Sequence, residues 1–360
     1  RTLDYLELAR ETPGRPWFIY LAYNAPHFPL QARPADVAKY RDLYKVGWDV
    51  IREKRLQRMK TLGIVGDEVS LSDRSPWWNY GETNSGTNPP WNTLSQTRRD
   101  DLSRRMAIYA AMVDCMDQGI GRITGSLAKH KELENTVILF LSDNGACAEW
   151  DPYGFVVRSS NLNTLHEAEQ VVALGTRGTF HSVGSGWANA SNTPFRLYKH
   201  FCHQGGVMSP LIVHWTKGVT REAGSIDDSP AHLIDLLPTL ISLGSAKYPA
   251  EHNGLKTDPL PGVDLLDRVN QPSSRGTDRA LFFEHEGNRG VRLGKWKLVA
   301  LRDGDWELYD LKADPIESTN LAQSEPDRVQ DLSKLWESWA ATNSVTPLPD
   351  DYQVKYLKPR

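Results

Sequence analysis

What most constrains this chain is an alternation of short, apolar, β-branched runs with longer helical stripes. Val137, Ile138, Leu139, Phe140 and Leu141 make one such run, stopped at once by Ser142, Asp143, Asn144 and Gly145. It is too short for a helix and reads as a central parallel strand covered on both faces. Ahead of it the spacing predicts a helix over residues 102–129, because Met106, Tyr109, Val113, Met116, Ile120, Ile123 and Leu127 recur three and four apart. Residues 17–22, Trp-Phe-Ile-Tyr-Leu-Ala, read as an earlier strand of the same kind, ended by Asn24, Ala25 and Pro26 with His27 just past its carboxyl end. A helix near 194–203, a turn at Gly205 and Gly206 and a strand over 211–215 form a further unit. Helix and strand alternating in this way predict an α/β fold with a doubly wound sheet.

The remaining segments extend that plan. Trp48, Ile51, Leu56, Met59 and Leu62 predict an amphipathic helix with Gly63 as its stop. Residues 72–94, rich in Pro, Gly, Asn, Ser and Trp, read as a long surface excursion. Leu233, Leu236, Leu237, Leu240 and Ile241 predict a buried helix that tolerates Pro238 at a kink or restart. From Arg279 the texture changes. Short alternating runs over 281–283, 296–301 and 306–309 predict a small antiparallel sheet, with a helix over 327–339 packed on it through Val329, Leu332, Leu335, Trp336 and Trp339. The expected division is an α/β core over 1–270 and a small carboxyl-terminal α+β domain over 271–360.

Composition narrows the classes. Lys plus Arg number 42 and Asp plus Glu 45, for a formal charge of −3, so the basic excess needed to neutralise a phosphate backbone is missing and nucleic acid is not an expected partner. No apolar run approaches the roughly 18 residues of a membrane span. Cys115, Cys147 and Cys202 form neither a disulfide framework nor a CxxC pair. The chain opens on Arg1-Thr2-Leu3 without an initiator Met or a signal segment, from which we expect a piece of a longer protein.

In an open α/β sheet, ligands bind beyond the carboxyl ends of the strands. One such end presents His27 and another Asp143 with Asn144. An anionic and a neutral oxygen side by side suit a hard cation such as Ca²⁺ or Mg²⁺, while the alternative is an Asx-type turn that merely closes the strand. His200, Cys202 and His203 fit a helix surface better than a zinc cluster. His166-Glu167 lacks the second His of a zincin, and Ser185 lacks the outer glycines of a nucleophile elbow.

The stretches Tyr20-Leu21-Ala22-Tyr23-Asn24-Ala25-Pro26-His27, Leu139-Phe140-Leu141-Ser142-Asp143-Asn144-Gly145 and Asn192-Thr193-Pro194-Phe195-Arg196-Leu197-Tyr198-Lys199 resemble the arylsulfatases of the alkaline phosphatase superfamily. So do Gly205-Gly206, the run from His232 through Thr239, and the closing segment from Lys295-Trp296-Lys297 through Asp314-Pro315 and Asn320. The resemblance implies the mixed, doubly wound sheet of that superfamily with a small antiparallel carboxyl-terminal domain. It also implies hydrolysis of sulfate monoesters, of small molecules or glycans, in a periplasmic or secreted setting; the oligomeric state stays open. By the same resemblance Asp143 and Asn144 would hold Ca²⁺ (or Mg²⁺), His27 would contact the sulfate, and Lys199 would bind the anionic ester. His181, Trp187, Asn189 and Asn192, just before Lys199, would line the leaving-group pocket, with Trp187 stacked on an aryl ring; a surface loop with a packed Trp fits them equally.

Two departures from the family pattern stand out. Gln204 replaces a common Glu and reads as structural. The Cys- or Ser-x-Pro-x-Arg motif that becomes the formylglycine nucleophile is not among these 360 residues, so the nucleophile and the other metal carboxylates are expected from a missing amino-terminal part, and these residues alone are expected to be inactive. The rival readings are a phosphomonoesterase or phosphodiesterase of the same superfamily, and a non-catalytic fragment or paralogue.

Overall fold

The computed structural model describes residues 1–78, 85–149, 151–156, 164–270 and 279–345. Its spine is the predicted long helix, which runs Gln96–Lys129. It starts earlier than the stripe implied because Ser95 caps it: the hydroxyl accepts from the Arg98 N–H at 3.2 Å, satisfying an otherwise orphaned donor. Its first half buries Leu102, Met106, Ala107, Ile108, Ala111 and Met112. The same core holds three tryptophans from distant segments, Trp48, Trp91 and Trp187, which meet edge to face with centroids 4.8, 5.8 and 5.5 Å apart. Further along, the stripe is only partly covered, and Val113 is 37% exposed.

The helix Trp48–Thr61 forms as expected, with Gly63 beyond it at positive φ. Several other expectations are corrected. Residues 72–94 are not a surface excursion where they are described: Ser75, Asn88, Trp91 and Leu94 are buried, because Trp91 completes the aromatic core and Asn88 bonds Ser185 and Tyr198. Positions 79–84 lie outside the described residues. No helix spans 194–203; Leu197 and His200 sit at positive φ, which breaks a helical ladder, and only the short helix Gln204–Val207 follows. A single 3₁₀ turn, Leu233–Asp235, leads into the helix Leu236–Leu243, but Leu233 and Leu237 are exposed rather than buried.

The strands Ile138–Leu141 and Leu211–His214 do form. They pair antiparallel, with Leu141 opposite Leu211 and Ile138 opposite His214, rather than in parallel. Residues 17–22 form neither a helix nor a ladder among the described residues, and Phe18 and Tyr20 face solvent; an apolar run becomes a strand only where a neighbour supplies hydrogen bonds. The antiparallel pairing fixes the site, because it sets the loop after Leu141 beside the approach to Leu211. Ser142 N–H donates to Pro210 O at 3.2 Å and Gly145 N–H to Gly206 O at 2.9 Å.

The carboxyl-terminal sheet follows the prediction and adds a strand the alternation missed. Ala280–His285, Asn288–Leu293, Trp296–Ala300 and Glu307–Asp310 form consecutive antiparallel neighbours. The helix Pro326–Thr342 covers one face, with Leu332 packed in the cluster of Val291, Leu298 and Leu308. No helix among the described residues is long and apolar enough to cross a membrane.

Candidate active site

Three loops meet at the end of the strand pair, and small groups decide how closely. A Cβ on Gly145 would lie 1.8 Å from Gly205 O, so only glycine permits this approach. Asn192 staples the loops together. Its Oδ1 accepts from Ala146 N–H at 2.9 Å, and its Nδ2 donates to Leu197 O at 2.9 Å and to Gly205 O at 2.6 Å. Lys199 N–H donates to Ala146 O at 3.1 Å, and its neighbours Tyr198 and Phe201 are buried in one cluster. The backbone under Lys199 is thus tied to the loop that carries Asp143 and Asn144.

Lys199 Nζ lies 3.3 Å from His27 Nε2 and 3.4 Å from Glu149 Oε1. The other ring nitrogen of His27 is 2.9 Å from Phe28 O, a carbonyl that only accepts, so Nδ1 carries the proton and Nε2 faces the ammonium as acceptor; this tautomer follows from the bonding pattern. Glu149 also takes His200 Nε2 at 3.0 Å, and His200 Nδ1 lies 2.9 Å from Glu286 Oε2. Cation and anion alternate across the cluster. Burial pushes the Glu149 carboxyl up, but His200 and Lys199 outweigh it and hold it below the usual carboxylate range. Burial likewise pushes His200 down, yet Glu149 and Glu286 leave it raised. Cys147 is pushed up to about 12 by burial and by Glu149, which keeps it a thiol and a poor nucleophile.

Asp143 is exposed and Asn144 half-buried. They share a cleft of about 600 Å³ with Lys199, His200, His232 and His285. The turn here is closed by Ser142 Oγ donating to Asn144 O at 3.0 Å, not by an Asx side chain. Among the described residues neither the Asp143 carboxylate nor the Asn144 amide is used in a hydrogen bond. One anionic and one neutral oxygen left free fit a hard cation, supplying two or three of the roughly six to eight oxygens Ca²⁺ takes.

The structure therefore brings His27 and Lys199 into contact and sets Asp143 and Asn144 in the same cleft as Lys199. The other four predicted residues go elsewhere. Trp187 is completely buried and donates to Leu102 O at 2.9 Å, which leaves no face for an aryl ring. Asn189 is buried against Ser75, and Asn192 is the staple. His181 is buried outside the cleft, with neither ring nitrogen bonded among the described residues. Sequence reasoning missed Glu149, His200 and Glu286. The His200, Cys202, His203 trio is neither a helix surface nor a zinc cluster, since the three side chains point to Glu149, Asn288 O and Glu307 respectively. Only the closeness of Glu149 to Asp143 in sequence could have drawn attention to it. Gln204 is structural, as expected: its Oε1 accepts from the buried Lys297 at 2.9 Å.

Comparison with known proteins gives a consistent picture. The sulfatase family profile matches residues 1–246, and the profile of the carboxyl-terminal part of N-sulphoglucosamine sulphohydrolase matches 195–341. An uncharacterized sulfatase of Schizosaccharomyces pombe is 32% identical over 356 residues, covering 96% of this chain and 61% of that protein. An arylsulfatase of Klebsiella aerogenes is 31% identical over 227 residues, 63% of this chain and 46% of that one. The chain spans about half the length of the curated relatives it matches. A solved structure, Ps i-CgsB in complex with k-i-k-neocarrahexaose, superposes with a TM-score of 0.57 at 22% identity, covering 94% of this chain and 52% of that one, which shows the shared fold.

Proposed function

The chain belongs to the sulfatase family, and on that premise we propose that it forms the anion-clamping part of a sulfuric ester hydrolase acting on aryl sulfates or related sulfate monoesters. The observation that carries this reading is the approach of Lys199 Nζ to His27 Nε2 at 3.3 Å, across 172 positions of sequence, in a cluster beside the uncommitted oxygens of Asp143 and Asn144. Sulfuryl transfer gathers negative charge on the sulfuryl and leaving-group oxygens. The Lys199 ammonium offsets that charge from a fixed position, the electrostatic contribution that usually dominates such transfers. Glu149 holds the lysine on the cleft side, and His27, whose Nε2 faces Lys199 as an acceptor, is placed to take up a proton rather than to give one to the leaving oxygen. Asp143 and Asn144 would hold Ca²⁺, which supplies Lewis-acid stabilisation of the same oxygens when bound. We place the formylglycine nucleophile in sequence outside these 360 residues.

The test is kinetic, on the complete protein with matched aryl sulfate and aryl phosphate. We expect the sulfate to be preferred and Lys199→Ala to lower kcat/KM by about 10²–10³-fold with the fold retained. Unchanged turnover in Lys199→Ala, or a preference for the phosphate, would overturn the proposal.

A further inference from the structure

At the edge of the cleft lies a second constellation that the sulfate-ester reading does not use. The ligand atoms of His200, His285 and Glu286 all lie within 4.8 Å of one another. His200 Nδ1 is 2.9 Å from Glu286 Oε2, His285 Nε2 is 3.9 Å from Glu286 Oε1, and the two imidazoles sit with centroids 5.5 Å apart. The fold builds this grouping. Ala280–His285 and Asn288–Leu293 are joined by the two-residue turn Glu286-Gly287, both at positive φ (54° and 86°), the conformation that suits a tight hairpin. Asn288 Nδ2 then donates to His200 O at 2.8 Å and to His285 O at 3.1 Å, pinning the hairpin tip to the backbone under His200. His200 itself adopts φ 88°, a conformation a bulky side chain takes only when its surroundings impose it.

The orientation of His200 supplies an independent argument. Its Nε2 is engaged at 3.0 Å by the buried carboxylate of Glu149. A carboxylate on one ring nitrogen fixes the tautomer and turns the other nitrogen's lone pair toward a metal, an arrangement that recurs behind zinc-bound histidines. We infer that His200, His285 and Glu286 form a three-ligand site for a borderline divalent transition ion, Zn²⁺ being the reference case, with Glu149 as the orienting partner of His200 and the remaining position left to water. Two imidazoles and one carboxylate suit Zn²⁺, whereas the oxygens of Asp143 and Asn144 suit a hard cation, so the two sites differ in chemistry. Binding displaces the proton shared between His200 Nδ1 and Glu286; the ion then bridges the same two atoms, and one proton is released.

The experiment is a Zn²⁺ titration by calorimetry of chelator-treated protein in excess Ca²⁺, repeated with Co²⁺ while its visible absorption is recorded. We expect one equivalent of zinc and the intense bands of four-coordinate cobalt. His285 lies at the exposed hairpin tip, so His285→Ala should fold normally and lose that equivalent. Glu149→Gln should retain the stoichiometry and weaken affinity by roughly 10–100-fold, and His252→Ala, at a separate hairpin, should bind as the parent does. The inference is overturned if the parent takes up no zinc, or if His285→Ala binds with unchanged stoichiometry and affinity. It is equally overturned if the equivalent is lost in Cys147→Ser instead, which would assign the ion to the neighbouring group of His27, Cys147 and Glu149.

Discussion

The carboxyl-terminal sheet and the strand pair at the candidate site are built from similar apolar runs and end up in opposite conditions. In the sheet, each strand pairs with the next one along the chain, from Ala280–His285 to Glu307–Asp310, and Val291, Leu298, Val299 and Leu308 are fully buried. At the site, Ile138–Leu141 finds its partner only at Leu211–His214, whose outer residues stay exposed, and residues 17–22 find none among those described. The difference shows what an apolar run does and does not specify. It says which residues can make a strand, while the neighbour across the ladder is guaranteed only where a short turn delivers it.

Breaking the most buried polar link of the sheet, which ties it to Gln204 outside, should produce the largest loss of stability among these changes. Lys297 is completely buried, 3.0 Å from Glu317 and 2.9 Å from Gln204 Oε1. Lys297→Ala strands the Glu317 carboxylate and should cost about 3–5 kcal/mol in chemical denaturation, whereas replacing both partners, Lys297→Met with Glu317→Leu, should recover most of it. A loss below about 1 kcal/mol would mean that the pair is not buried as described.

The core around the long helix is strained differently, by a carboxyl without a full set of partners. Burial pushes Asp151 up to about 7; one oxygen accepts from Tyr153 N–H at 2.7 Å and the other has no hydrogen bond among the described residues. The folded state therefore holds the proton more tightly than the unfolded chain, where an Asp titrates near pH 4. Ionisation costs the folded state nothing below that pH and a growing amount as pH rises toward 7, to no more than about 4 kcal/mol. Asp151→Asn keeps the Tyr153 bond and should be more stable than the parent at pH 8, with the gain fading toward pH 4.5. Urea midpoints at the two pH values decide it, and a gain equal at both would show that the carboxyl is not the cause.

Where the ladder is sparse, side chains hold the site together, and Asn192 is the test of that. Asn192→Ala removes three hydrogen bonds from partly buried partners and should cost about 3 kcal/mol. Asn192→Asp should be nearly as damaging, because two of the three bonds need the amide as donor and a carboxylate cannot donate. An Asp variant as stable as the parent would remove the staple from the account.

These cases also show how far the residues could be read in advance. The long helix, the helix from Trp48, the small sheet and its covering helix were legible because each rests on local periodicity. For His27, Asp143, Asn144 and Lys199 the motifs marked positions, and the structure adds only the approach of His27 to Lys199 and the cleft that Lys199 shares with Asp143 and Asn144. The direction of the strand pair was not, because nothing in Val137 to Leu141 records whether its neighbour runs parallel. Nor was the burial of Trp187 and Asn189: their partners, Leu102 and Ser75, are distant in sequence and carry no mark of the pairing. Nor was Glu149, whose partners Lys199 and His200 lie some 50 positions on, or the tie of His200 to Glu286 in the turn of a hairpin whose second strand, Asn288–Leu293, has too little alternation to be seen.

The smallest expected effect concerns residues 17–22, and it bears directly on the contrast between the two regions. Phe18 is 68% and Tyr20 83% exposed, so Phe18→Ser with Tyr20→Ser removes little buried surface and should shift the unfolding free energy of the 360-residue protein by no more than about 0.5 kcal/mol. The same change should raise the monomeric fraction in sedimentation, because an apolar run that joins no ladder among the described residues and turns aromatic rings outward is a template for association. The two readouts separate the explanations. If stability instead falls by the roughly 1.5–3 kcal/mol that fully burying an apolar side chain is worth, the segment is covered in solution, and the contrast with the carboxyl-terminal sheet is a matter of degree. If stability is unchanged but association is too, the rings are exposed without being adhesive, and self-association must be sought at Ile212 and the outer face of Leu211–His214.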